Sequence, residues 1–137
     1  GLQREFRMAM ILITHDLGVV STVADRVAVM YAGQVVEQRP TEKIFLDPLH
    51  PYTQGLLDCL PIPGKTPRGS RLGSIPGKVP SLIGDLRGCS FANRCAYVRE
   101  VCPRQEIPLK ESEPGGAYRC VLSPEECREN ARREPDR

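Results

Sequence analysis

Apolar residues run without a break from Ala9 to Ile13, and Thr14 closes the run. A short stretch that is apolar on both faces has the pattern of a central parallel strand covered by helices on both sides. Leu2–Met8, just before it, reads as the end of a helix. Asp16 then offers an N-cap for a helix over Leu17–Ala24, with apolar Val19, Val20 and Val23. Val27–Ala32 and Val35–Gln38 read as two strands of a hairpin turning at Gly33-Gln34. Thr41 can cap a short helix through Asp47, and Pro51 suits the first turn of a helix over Pro51–Leu60. A parallel sheet needs neighbouring strands joined by crossovers, and the remaining sequence offers almost none. The chain is therefore expected to be a piece of a larger α/β fold.

Composition changes this picture in the second half. Glycine and proline together supply 25 of 137 residues, against a background of roughly 12%. Five prolines and four glycines fall within 61–80, which predicts an extended connector. Residues 89–120 form a cysteine-bearing, mostly irregular module, and Glu125–Arg137 reads as a mixed-charge tail of one or two helical turns, frayed at the end. The net charge of +2 comes from interspersed residues, 19 basic and 17 acidic, and argues against nucleic acid as a partner. No apolar run approaches the ~18 residues of a membrane span, and the start does not resemble a secretory signal. Six cysteines without a signal favour a reducing compartment.

Three constellations carry candidate chemistry. Thr14-His15-Asp16 stands at the carboxyl end of the expected strand, where open α/β sheets bind ligands. A histidine there can donate a hydrogen bond to a phosphate oxygen and help hold a water, although a lone loop histidine more often binds nothing. The second is Asp47-Pro48-Leu49-His50-Pro51-Tyr52-Thr53, in which packing alone explains every residue. The third is Cys89, Cys95, Cys102 and Cys120, with Cys127 behind and Cys59 on an apolar helix face. Zinc sites usually pair cysteines two to four residues apart, whereas five, six and seventeen residues separate these. Disulfides are disfavoured by compartment. Four thiolates on irregular loops suit a 4Fe–4S cluster, and the Cys102-Pro103 step recurs in bacterial ferredoxins. A cluster stays first, with zinc and plain buried thiols open equally behind it. Gly64-Lys65-Thr66 only imitates a P-loop, because Cys59 stands where that motif needs its first glycine.

Read together, Ile13-Thr14-His15-Asp16-Leu17, Ala24-Asp25-Arg26-Val27, Met30-Tyr31-Ala32-Gly33 and Val36-Glu37 resemble the switch-histidine segment of ABC-transporter ATPases and the strands that follow. Asp47–Thr53 and Ile75-Pro76-Gly77-Lys78-Val79-Pro80 resemble the C-terminal extension of the oligopeptide and dipeptide transporter subunits. Gly88–Cys95, Cys102-Pro103 and Cys120 match the cysteine pattern of that extension. The pattern commonly carries a histidine shortly before the last cysteine, where this chain has Gly115-Gly116-Ala117.

The resemblance implies an α/β fold: the truncated C-terminal edge of a nucleotide-binding domain over 1–39, then an extension over 40–137. The extension divides into a helical part (40–60), the connector (61–88), the cysteine module (89–120) and a tail (121–137). It further implies a parent subunit that hydrolyses ATP with magnesium and drives peptide import. Its partners would be a second homologous ATPase subunit, two membrane-spanning permease subunits and, indirectly, an extracytoplasmic peptide-binding protein. Its place would be peripheral, at the cytoplasmic face of the membrane. His15 matches the switch histidine near the γ-phosphate, and the four cysteines match iron–sulfur ligands. The rest of the ATP site is absent from these 137 residues, so the chain alone is expected to be inactive. The alternative is a stand-alone metal-binding or protein-interaction module.

Overall fold

The computed structural model describes residues 5–6, 8–60, 74–79 and 87–132. The hairpin organises the fold. β1 (Arg26–Tyr31) alternates exposed with more buried residues, so Val27, Val29 and Tyr31 face inward while Met30 stays exposed. The turn is made by Ala32 and Gly33, both at positive φ (48° and 77°), which matches the right-handed twist of the strands. It lies one residue earlier than the spacing predicts. β2 (Gln34–Pro40) returns antiparallel with a bulge: Val29 faces Glu37 and Met30 faces Val35, leaving Val36 as the extra residue. Val36 is buried.

The other edge of β2 is covered from far along the chain. β3 (Lys110–Glu113) and β4 (Gly116–Tyr118) form a second hairpin, and β4 pairs with β2 through Glu37–Tyr118 and Gln38–Ala117. The sheet order is β1-β2-β4-β3, antiparallel throughout. The cysteine module is thus less irregular than the sequence suggests. Gly115, at φ +76°, turns this second hairpin.

Four α-helices of six or more residues accompany the sheet among the described residues. α1 (Leu17–Val23) is capped as expected, with Asp16 accepting from the Val19 amide at 3.1 Å. α2 (Thr41–Leu46) follows Pro40 directly and buries Ile44. Thr41 is not its cap; it lies inside the helix, and its hydroxyl donates to the Ala24 carbonyl instead. α3 (Pro51–Asp58) has proline in its first turn and His50 as N-cap. α4 (Pro124–Arg132) forms where one or two helical turns are expected; Ser123 and Glu126 cap it reciprocally at 3.2 and 2.8 Å, and residues 133–137 lie outside the described residues.

Two apolar clusters result. One joins Val29, Tyr31, Val36, Ile44 and Phe91; the other joins Leu49, Tyr118, Cys120, Leu122 and Cys127. Residues 8–16, by contrast, carry no regular structure, and Ile11 and Ile13 are 92% and 94% exposed. The strand expected over Ala9–Thr14 is not formed, for a physical reason. A parallel strand exists only through hydrogen bonds to neighbours, and no described segment pairs with it. The helix expected over Leu2–Met8 lies largely outside the described residues, as do most of the connector and Gly64-Lys65-Thr66.

Candidate functional site

The Asp47–Thr53 motif is assembled around two buried charges that the periodicity of β2 would not place inside. Glu37 and Arg39, two apart on one strand face, are both fully buried. Glu37 accepts from the Leu49 and His50 amides, each at 2.9 Å, and so draws the motif's backbone against the sheet. Arg39 grips Glu113 through two bonds of 2.9 and 3.0 Å and reaches Asp47 Oδ2 at 3.2 Å. It also donates to the Asp47 carbonyl. From the other side, Arg128 on α4 holds the Asp47 carboxylate at 2.8 and 2.9 Å. Arg128, and then Arg39, hold the Asp47 carboxyl below the usual carboxylate range. Arg39 does the same for Glu113.

His50 is structural here. Its Nδ1 accepts from the Tyr52 amide at 3.1 Å, and the ring is buried near Phe91. Burial pushes the imidazole down to about 4, so it stays neutral at physiological pH. Gln54 ties α3 to α4 by donating to the Cys127 carbonyl at 3.0 Å. Glu113 and Arg128 carry no local sequence signal, because their partners are 74 and 81 positions away.

The second motif, over 75–79, is held by residues lying between the first two cysteines. Arg94 donates to the Pro76 and Ile75 carbonyls at 2.8 and 2.6 Å and to the Tyr31 hydroxyl at 3.2 Å. Asn93 reaches the Lys78 carbonyl at 3.4 Å. The connector's end and the cysteine module therefore form one packed unit.

Cys89, Cys95, Cys102 and Cys120 are free thiols gathered in one region. The Cys89 amide donates to the Cys102 carbonyl at 2.7 Å, and the Cys102 sulfur accepts from the Arg99 amide at 3.4 Å. Burial raises Cys89 and pushes Cys95 up to about 12, with Cys120 and Cys102 charges adding to both. Cys120 is lowered, chiefly because the Cys127 thiol hydrogen-bonds to it, with the Leu122 and Val121 amides and Lys110 assisting. Cys127 is raised as its partner. Ser90, next to Cys89, has a buried hydroxyl without a hydrogen-bond partner. Among the described residues, no group of three or more His, Cys, Asp or Glu is arranged to hold a metal ion. Donor chemistry and the unpaired Ser90 hydroxyl suit a thiolate-bound centre, but the thiols are not closed around one. Cys59, the C-cap of α3, donates to the Gly55 carbonyl at 3.1 Å, a local bond. His15 stands exposed after the extended segment, just before α1.

The motif at 47–53 is packed on its buried anchors, and the 75–79 stretch is clamped by Arg94. Residues 36–102, just under half of the chain, match the family described as the oligopeptide/dipeptide transporter C-terminal region. A Brucella ovis protein whose name assigns it ATP binding in peptide import is 44% identical over 124 residues, covering 88% of this chain and 37% of that protein. A Brucella abortus protein named in the same way is 47% identical over 129 residues, covering 93% of this chain and 38% of its own. The chain thus spans less than two-fifths of the length of these relatives. No described helix is long and apolar enough to cross a membrane.

Proposed function

We propose that the chain is the C-terminal part of the ATP-binding subunit of an ABC importer for oligopeptides or dipeptides. The observation that carries this reading is the match of residues 36–102, whose hallmark Asp47–Thr53 is built into the core. Residues 1–39 supply the edge of the nucleotide-binding domain and 40–137 the extension, although β2 and β4 join the two parts in one sheet. The working partners are a homologous ATPase subunit and two permease subunits at the cytoplasmic face of the membrane, supplied with peptide by an extracytoplasmic binding protein.

His15 follows the apolar segment whose exposed Ile11 and Ile13 are suited to burial between neighbouring strands of a complete domain. There it donates a hydrogen bond to a γ-phosphate oxygen and helps hold the attacking water, so that catalysis is positioning and charge stabilisation. In the full-length subunit, His15→Ala is expected to lower ATP turnover about a hundredfold or more while leaving nucleotide binding nearly unchanged. Near-normal turnover in that variant would return His15 to an ordinary loop. The 137 residues alone contain no phosphate-cradling glycine loop and serve as the inactive control.

The cysteine region supports a finer proposal. Cys89, Cys95, Cys102 and Cys120 would hold a 4Fe–4S cluster, with zinc the second reading. A cluster bound there supplies crosslinks to a segment with little core of its own. Anaerobically purified protein should be brown with a broad absorption band, and Cys95→Ser should bleach it and loosen residues 89–120. Colourless protein with stoichiometric zinc would select the zinc reading. Colourless, metal-free protein would leave four free thiols.

A further inference from the structure

Cys127 has no part in the proposed metal centre, yet it is fully buried and set against one of the four cysteines. Its thiol hydrogen-bonds to the Cys120 sulfur, and the two share one apolar cluster with Leu49, Tyr118 and Leu122. A cysteine that only fills a core needs no second sulfur beside it. We propose that Cys120 and Cys127 are a redox pair, which a small peroxide converts to a disulfide and a thiol converts back.

Both backbones are anchored, so the sulfurs meet without rearrangement of the fold. On the Cys120 side, the Arg119 amide donates to the Val36 carbonyl at 2.8 Å, and the Arg119 side chain donates to the Val35 and Ile107 carbonyls at 3.0 and 2.7 Å. The chain then turns back, with the Tyr118 hydroxyl and Lys110 donating to the Leu122 carbonyl at 2.9 and 3.1 Å. On the Cys127 side, the amide donates to the Ser123 carbonyl at 3.0 Å and the carbonyl accepts from Gln54 at 3.0 Å. From hydrogen-bond contact, the sulfurs have only to close to about 2.05 Å. The bond ties α4 directly to the end of β4.

Exposure sets the order of events. Cys120 is 9% exposed and Cys127 0%, so a peroxide meets Cys120 first. The Cys120 thiolate attacks one peroxide oxygen: an S–O bond forms, the O–O bond breaks, and the departing hydroxide takes up the Cys120 proton as water. Cys127 then attacks the sulfenic sulfur. An S–S bond forms, the S–O bond breaks, and the hydroxyl leaves as water with the Cys127 proton. The pair of thiols is oxidised by two electrons and the peroxide is reduced to water. Exchange with small thiols returns both cysteines, so a reducing compartment keeps the bond transient.

The disulfide removes Cys120 from the four cysteines of the metal proposal. The pair does not rest on that proposal, because it is tested in metal-free protein.

The test takes the metal-free 137-residue chain, reduced, freed of reductant and exposed to hydrogen peroxide. Remaining thiols are blocked with iodoacetamide before digestion with trypsin. Cleavage after Arg119 and Arg128 releases residues 120–128, which hold both cysteines and no other, while Cys89, Cys95 and Cys102 fall in separate peptides. The expected 120–128 peptide carries no blocking group and is lighter by two hydrogen atoms than its reduced form, with Cys89, Cys95 and Cys102 still blocked. Dithiothreitol before blocking should restore both thiols. Cys127→Ser should stop at a Cys120 sulfenic acid, trapped by dimedone, and Cys120→Ser should leave Cys127 reduced. Hydrogen exchange over residues 124–132 should slow in the oxidised chain. The wild-type peptide map decides by itself, however the variants fold. Peptides joined through Cys89, Cys95 or Cys102 would assign the oxidation to another pair. A 120–128 peptide blocked at both cysteines would leave Cys127 a packing residue. Either result overturns the proposal.

Discussion

At the scale of single residues, His50 shows how burial converts a titratable group into a structural one. Its folded pKa of about 4 lies below the ordinary 6.5, because burial disfavours the charged ring and the Arg119 charge adds to that. As pH falls, the unfolded chain takes up the proton first, so the folded state loses ground. The contribution of His50 is complete above pH 6.5 and disappears as pH drops toward about 4, an effect of about 3 kcal/mol across that window. Urea unfolding at pH 7 and near pH 4.5 should show this loss. In His50→Asn, which keeps an acceptor for the Tyr52 amide but cannot titrate there, the slope between the two should flatten. Cys95 is the opposite case. Burial pushes its thiol up to about 12, so without a metal it holds its proton and is a poor nucleophile.

At the scale of elements, the network centred on Arg39 decides which pieces move together. Asp47 is shared by Arg39 on β2 and Arg128 on α4, so the loop between α2 and α3 pins the last helix to the sheet. Asp47→Ala should destabilise the protein by about 2 kcal/mol. Hydrogen exchange should then speed up first in residues 124–132 and leave β1 and β2 nearly as protected as before. If exchange instead accelerates uniformly, α4 is held by Gln54 and the Cys127 packing rather than by Asp47. The helix signals read well in advance where the cap was local, as at Asp16 with α1 and Pro51 with α3. They failed where a tertiary bond took the side chain, as when the Thr41 hydroxyl turned to Ala24.

At the scale of the whole molecule, the β1–β2 hairpin, the short helices and both extension motifs were legible, because each depends on residues close in sequence. The sheet's other half was not. β4 is three residues long, and Gly116-Ala117-Tyr118 has no alternation long enough to announce a strand. Its existence rests on the β2 edge that it completes. The apolar segment at 9–14 is the reverse case: its pattern is that of a buried strand, yet no described segment pairs with it. Among site residues, the four cysteines were visible by type. Glu113 and Arg128 were not, since scattered charges acquire meaning only when the fold brings them to Arg39 and Asp47.

The pairing of β2 with β4 also fixes an order of events as the protein is made. Glu37 leaves the ribosome long before its partner Tyr118, and at typical synthesis rates of roughly 5–20 residues per second the wait is several seconds or more. A hairpin such as β1–β2 closes in microseconds. Throughout that interval β2 has one strand beside it and one bare edge, with Arg39 still lacking Glu113. An unpaired edge is what invites the wrong neighbour. The Arg39 charge that later binds Glu113 is, until then, part of what keeps that edge soluble.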